Sequence, residues 1–228
     1  NRVDYFIANS QHTANRIWRC YRRKAKVIYP PVNLERFSFK ENKEDFYVTV
    51  TRLVSYKQVT LMVEAFNQLG KNLVIIGGGK QLELIQKMAK PNIKILGSQP
   101  NHIVEEYLQK AKAFIYASCE DFGIALVEAQ ACGTPVIAYA RGGALETVKD
   151  IRQHPQDGTG LHFYPQTPQA LAETVETFEE IYHQFNLENC RQQAEKFSTP
   201  IFHHNYLNFV ESCMINGNGI IDQNKIVD

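Results

Sequence analysis

Apolar residues in this chain fall into short runs separated by stretches with helical spacing. VDYFIA (3–8), KVIY (26–29), FYVTVT (46–51), LVIIG (73–77), IKIL (93–96), AFIYA (113–117) and PVIAY (135–139) are each four to six residues long and rich in β-branched or aromatic side chains. That is the signature of buried strands. Helices are predicted between them: one capped by Ser10 and running to about Lys24, then 57–69, 80–89, 102–111 and 124–132. Pro30-Pro31 can continue neither kind of element. Short apolar strands joined by helical crossovers predict an α/β fold, a Rossmann-like doubly wound parallel sheet covered on both faces. After Tyr164 the pattern becomes helical, at 168–184, 187–196 and 199–212. The last of these helices carries an apolar stripe of Phe202, Tyr206, Phe209 and Val210 that calls for a partner surface. The Gly/Asn-rich tail INGNGIIDQNKIVD (215–228) is expected to be loose. No internal repeat is evident.

Composition narrows the class. The 228 residues suit one large α/β domain, or one domain with pieces of another. Apolar residues make up 44% and charged residues 21%, enough for a real core. The net charge of +1 gives no reason to expect nucleic acid or an anionic membrane as the main partner. No apolar run is long enough to span a bilayer. Cys20, Cys119, Cys132, Cys190 and Cys213 form no C-x-x-C pair, and no His cluster has metal-ligand spacing. Such scattered cysteines predict reduced thiols and a cytoplasmic protein with no metal. The opening NRVDYFIANS already runs from a strand into a helix cap, so an N-terminal portion is expected to be missing.

In an open parallel sheet, ligands sit outside the carboxyl ends of the strands, and the chemically informative residues follow strands. Arg52 comes after FYVTVT, Gly77-Gly78-Gly79 after LVII, Glu120 after AFIYAS, and Arg141-Gly142-Gly143 after PVIAYA. Glu120 and Glu128 lie about 80° apart on a continuous helix, too far to share a face. With Glu120 in a loop and a helix beginning near Gly123 or Ile124, the helix N-terminus falls between the two carboxylates. Free amides and a positive dipole end then offer a diphosphate site flanked by two acceptors for hydroxyls. Gly123 lets backbone approach a phosphate closely. Arg52 and Lys57 bracket a strand-to-helix turn where two cations can hold a diphosphate leaving group.

The residues E-x7-E with FG after the first Glu, R-x4-K upstream and a trailing A-x-G-x-PVIA-x3-GG-x2-E read here as Glu120…Glu128, Arg52…Lys57 and Ala131 to Glu146. Together with VIYPPVNLERF (27–37) they resemble the retaining GT-B glycosyltransferases of family 4, over about residues 1–213. EDFGIALVEAQACGTPVIAY is similar to a bacterial subgroup of mannosyl- and glucosyltransferases of polysaccharide assembly. The resemblance implies that Arg52 and Lys57 bind the diphosphate of a nucleotide sugar. It implies that Glu120, with the amides of Phe122, Gly123 and Ile124, holds the donor hexose, and that Glu128 holds the ribose. Backbone near Leu96-Gly97 would meet the base, and amides near Leu126-Val127 would reach the phosphates. UDP-glucose is the favoured donor, with GDP-mannose close behind, and the acceptor is a polysaccharide or lipid-linked saccharide. No metal or other cofactor is implied. By the same resemblance, residues 1–30 are the last strand and helix of a missing acceptor domain plus the linker. Residues 31–197 are the donor domain, and 198–228 a helix crossing back with its tail. Contact with a membrane is expected only through the missing domain.

Blander readings compete with several of these. Gly77-Gly78-Gly79-Lys80 fails the phosphate-loop pattern, with Val74 and Gln81 at its ends, and reads as a turn lining the pocket. Gly142-Gly143 reads equally as a turn. Glu146 reads equally as structural or functional. Cys119 has no activating His nearby in sequence and reads as a small packed residue. His102, His154, His162, His203 and His204 read as surface or interface residues. Two other functions stay open: a nucleotide-sugar-binding module without transfer, and a GT-B epimerase. A nicotinamide dehydrogenase is disfavoured, because the dinucleotide glycine fingerprint is absent.

Overall fold

The computed structural model describes residues 3–216. Two short parallel strands, β1 (Ile7–Ala8) and β2 (Lys26–Val27), pair around helix α1 (Gln11–Tyr21). The main sheet follows: β3 (Glu44–Val50), α2 (Val59–Leu69), β4 (Leu73–Ile76), α3 (Leu82–Met88), β5 (Ile93–Gly97), α4 (Asn101–Lys110), β6 (Ala111–Tyr116), α5 (Ile124–Ala131), β7 (Val136–Tyr139), α6 (Ala144–Thr147) and β8 (Gly160–Phe163). Helices α7 (Pro168–Ile181), α8 (Leu187–Glu195) and α9 (Thr199–Asn216) close the chain. The six strands are all parallel, in the order β5-β4-β3-β6-β7-β8. Chain order runs outward one way from β3 and the other way from β6. The switch point therefore lies between these two strands, and their carboxyl ends open a crevice.

Strand periodicity sorts the core into two layers. Tyr47, Leu73, Ile75, Ala113, Ile115 and Ile137 face one way, against Leu61, Phe66, Val175 and Phe178 of α2 and α7. Val48, Val74, Ile76, Phe114, Val136 and Ala138 face the other, against Leu108, Val127, Ala129 and Ala194 of α4, α5 and α8. α5 is held from behind. The Lys43 ammonium donates to Cys132 O at 3.0 Å, to Thr134 Oγ1 at 2.9 Å and to Gln109 O at 2.9 Å, a cation on the carboxyl ends of α4 and α5. Desolvation pushes this ammonium down to about 8.

The predicted elements are present with shifted ends. The expected strands at 3–8 and 26–29 shrink to two residues each. The expected helix at 57–69 is broken, because a 3-10 turn at Ser55–Lys57 ends on Gln58 in the left-handed region (φ 56°) before α2 begins. The helix expected at 168–184 stops at Ile181 and ends in a 3-10 turn. β8 and α6 were not anticipated. Of the tail expected to be loose at 215–228, Ile215 and Asn216 belong instead to α9, and the rest lies outside the described residues.

Two glycines set how closely the strand-end loops approach. Gly142 has φ 72°, and its Cα faces the backbone of Glu120: a Cβ there would sit 2.2 Å from Glu120 O. Gly77 has φ 143°, and a Cβ there would sit 1.8 Å from Thr51 O. Each glycine thus fixes one wall of the crevice, the Glu120 loop against β7 and the Arg52 loop against β4. Gly142→Ala is expected to lose at least about 3 kcal/mol, combining left-handed strain with displaced backbone. Gly70→Ala, also left-handed (φ 67°) but with nothing within 4 Å of its Cβ, should lose only about 1 kcal/mol. Denaturant unfolding of both variants checks this, and equal losses would contradict it.

Candidate functional site

A cleft of about 680 Å³ opens at the carboxyl ends of β3 and β6. Arg52, Lys57, Glu120, Phe122, Gly123, Ile124 and Glu128 all line it, so seven residues singled out from the sequence meet in one place. The other four do not line it. Leu126 and Val127 are fully buried in the core, and the Leu126 amide already donates to Gly123 O at 3.0 Å. Leu96 and Gly97 end β5, two strands out from β3, where Gly97 O accepts from the Gly77 amide at 2.8 Å. The Gly77-Gly78-Gly79 turn packs behind the Arg52 loop rather than lining the cleft as expected.

The first wall follows β3. Arg52 Nη2 donates to the Tyr56 hydroxyl at 2.7 Å. The 3-10 turn then aims Lys57 across the cleft, where its ammonium pairs directly with the Glu120 carboxylate. Lys57 Nζ also lies 5.4 Å from the Tyr56 ring centre and 5.7 Å from that of Tyr116, within cation–π range of both. Burial, with the nearby Glu120 charge, pushes the Tyr116 phenol strongly up, so it stays a neutral hydroxyl.

The second wall is the loop after β6 with the start of α5. Gly123 (φ 87°) takes the N-cap position without a capping side chain, and the first turn of α5 holds no acidic residue. Ile124 and Ala125, the first residues of α5, line the cleft. The positive end of the helix dipole therefore faces the cleft beside Arg52 and Lys57, a setting that favours an anion. Phe122 anchors this loop by burying its ring against Tyr29 (centroids 5.7 Å apart) and Phe197 (5.3 Å). Glu128, one turn into α5, is pushed up by burial, with Arg36 pulling it down and Glu105 adding to the rise. A half-buried carboxylate of this kind favours a ligand that donates hydrogen bonds.

Glu146 has a structural use. Its carboxylate accepts from the amides of Gln11 at 2.7 Å and His12 at 3.0 Å, capping α1 from 135 residues away in sequence. Burial, and then Glu146 itself, pushes the Tyr29 phenol up to about 12. Arg16 of α1 forms a bidentate pair with Asp121 at 2.9 and 2.8 Å, beside Glu120. The α1 unit is thereby tied to the cleft, and Asn9 and Pro30 line its rim. Ser10 accepts from the Thr13 amide at 3.0 Å, the cap that its position suggested.

Two bland readings are corrected. Cys119 is not packed but exposed at the cleft, and desolvation raises its thiol, so it is a poor nucleophile. His162 is not a surface residue. Its ring is half-buried with Nε2 3.2 Å from Ala144 O, and burial lowers its pKa. Tyr56 and Tyr116 were missed as site residues. The signals that could have found them are the position next to Lys57 and the last position of β6. Among the described residues no group of His, Cys, Asp and Glu is arranged to hold a metal ion, and no helix is long and apolar enough to cross a membrane.

Comparison with known proteins bears on the fold and the family. A glycosyltransferase of Methanocaldococcus jannaschii, itself uncharacterized, is 31% identical over 64% of this chain and 43% of that protein. The alpha-1,3/1,6-mannosyltransferase ALG2 of Kluyveromyces lactis is 24% identical over 92% of this chain and 54% of that protein. The chain thus spans about half the length of these relatives. The crystal structure of Anabaena HepE in complex with UDP and glucose superposes with a TM-score of 0.78 at 20% identity, covering 93% of this chain and 64% of that one. A glycosyltransferase from Rickettsia africae gives a TM-score of 0.79 at 20% identity over the same shares. At that identity the structures establish a shared GT-B fold. The model of the family described as glycosyl transferases group 1 matches residues 32–197, most of the chain, and the protein belongs to that family.

Proposed function

We propose that this chain is the donor-binding half of a retaining hexosyltransferase, which moves a hexose from a nucleoside diphosphate sugar to a saccharide acceptor. The observation that carries the reading is the meeting of Arg52, Lys57, Glu120 and the uncapped N-terminus of α5 at one switch point. A diphosphate fits between the cations and the helix end. The hexose lies toward Glu120 and the ribose toward Glu128, each carboxylate accepting from hydroxyls. As the glycosidic bond breaks, negative charge grows on the β-phosphate, and the fixed cations and helix dipole stabilise it. With two cations at the diphosphate, no divalent ion is required for this role. UDP-glucose is the favoured donor, supported by the UDP and glucose named for the Anabaena structure. GDP-mannose stands close behind, supported as to its sugar by the mannosyltransferase name of the Kluyveromyces lactis relative.

Arg52→Ala should weaken UDP or GDP binding by about 1.5–3 kcal/mol, the range for hydrogen bonds to charged groups. A nucleoside monophosphate should lose less, and EDTA should change neither affinity. Calorimetry showing unchanged diphosphate affinity, or an EDTA-sensitive one, would contradict the assignment.

Glu128 should show a trade of stability against binding. Burial raises its folded-state pKa, so the native state holds a proton more readily than the unfolded chain does. Stability from this group is present below the unfolded carboxylate pKa and is lost as pH rises through the folded one. Glu128→Gln is therefore expected to raise the unfolding midpoint at pH 7, with the gain vanishing as pH falls through the carboxylate range. The same variant should weaken UDP and UDP-glucose by equal factors, because both carry the ribose. A lowered midpoint at pH 7, or unequal binding losses, would contradict this.

A further inference from the structure

Lys57 and Glu120 stand on opposite walls of the cleft, 63 residues apart in sequence, and each is the other's charged partner. Their side chains are only 13% and 26% exposed, so water screens the pair weakly. Arg52 differs from Lys57. Its side chain donates to the neutral hydroxyl of Tyr56 and can turn toward an anion without breaking an ion pair. The two cations are therefore not equivalent toward an incoming diphosphate.

Building on the proposed function, we propose that the Lys57–Glu120 pair is a specificity device that disfavours a bare nucleoside diphosphate and favours one carrying a sugar. A phosphate that draws Lys57 toward itself weakens the ammonium's hold on Glu120, even where the three donors of the ammonium bridge both. A bare diphosphate offers Glu120 nothing in return. It leaves a partly buried carboxylate less firmly held by its cation and brings a second anion beside it, two unfavourable changes. A sugar carries hydroxyl donors, which can replace the ammonium on Glu120 and release Lys57 to the phosphate. Partner exchange thus couples the sugar end of the ligand to the phosphate end. The device acts against the nucleoside diphosphate left after transfer, so it would ease product release.

The test is calorimetric titration of the chain and two variants with UDP and UDP-glucose, and with GDP and GDP-mannose as the second pair. Glu120→Gln keeps the size and an acceptor oxygen but releases Lys57. It should bind the bare diphosphate about fivefold or more tightly than the parent chain while losing affinity for the sugar-bearing ligand, so that the preference collapses or reverses. Lys57→Met leaves Glu120 unpaired beside the incoming anion, so it should weaken binding of the bare diphosphate more than that of the sugar-bearing ligand, whose hydroxyls still satisfy the carboxylate. Arg52→Ala should weaken both ligands alike. Unfolding midpoints of each variant separate misfolding from lost binding. Unchanged or weaker binding of the bare diphosphate by a folded Glu120→Gln variant would overturn the inference and leave the functional reading in place. So would equal losses for both ligands in Lys57→Met. If the parent chain binds neither ligand pair, the functional reading falls and this inference falls with it.

Discussion

The arrangement of this cleft depends on how closely two pairs of neighbouring strand ends can approach. Gly77 lets the β4 end touch the backbone of Thr51, and Gly142 lets the β7 end touch that of Glu120. A single methyl group at either point would collide with a carbonyl oxygen. These two contacts hold the loops after β3 and β6 at fixed heights on either side of the switch point. Arg52, Lys57 and Glu120 ride on those loops. Their mutual geometry therefore comes from backbone packing rather than from the side chains' attraction for one another. A preorganised backbone costs nothing further at the moment of binding.

Much of this architecture is legible in the sequence because parallel strands buried on both faces read as short apolar runs. LVII and PVIAY are of this kind. β8 is not: its four residues, Gly160–Phe163, open on a glycine and set a half-buried histidine between the core residues Leu161 and Phe163, which breaks up the apolar run. The break before α2 was hidden because Gln58 is an ordinary residue in a left-handed conformation that nothing local in the sequence signals. Site residues were readable where the chemistry is local, as with R-x4-K and E-x7-E. The Lys57–Glu120 pair and the Glu146 cap on α1 join residues 63 and 135 positions apart, and spacing along the chain carries no information about such pairings.

The glutamate closing the GG-x2-E motif shows how a chemically suggestive residue can be structural. Glu146 supplies α1 with an acceptor for its first amides, which the chain next to the helix offers only in part through Ser10. Capping across this distance ties the β1-α1-β2 unit to the domain that carries the cleft. The Arg16–Asp121 pair adds a second link at the cleft rim, but at 53% and 42% side-chain exposure it orients more than it stabilises.

The central claim is that the strand ends of β3 and β6, with the N-terminus of α5, form a diphosphate site. A crystal structure of this chain with UDP or GDP tests that most directly. The account predicts phosphate oxygens within hydrogen-bond distance of the Arg52 guanidinium and of the Ile124 or Ala125 amides. A diphosphate bound instead on the Gly77-Gly78-Gly79 turn, or elsewhere on the surface, would contradict it.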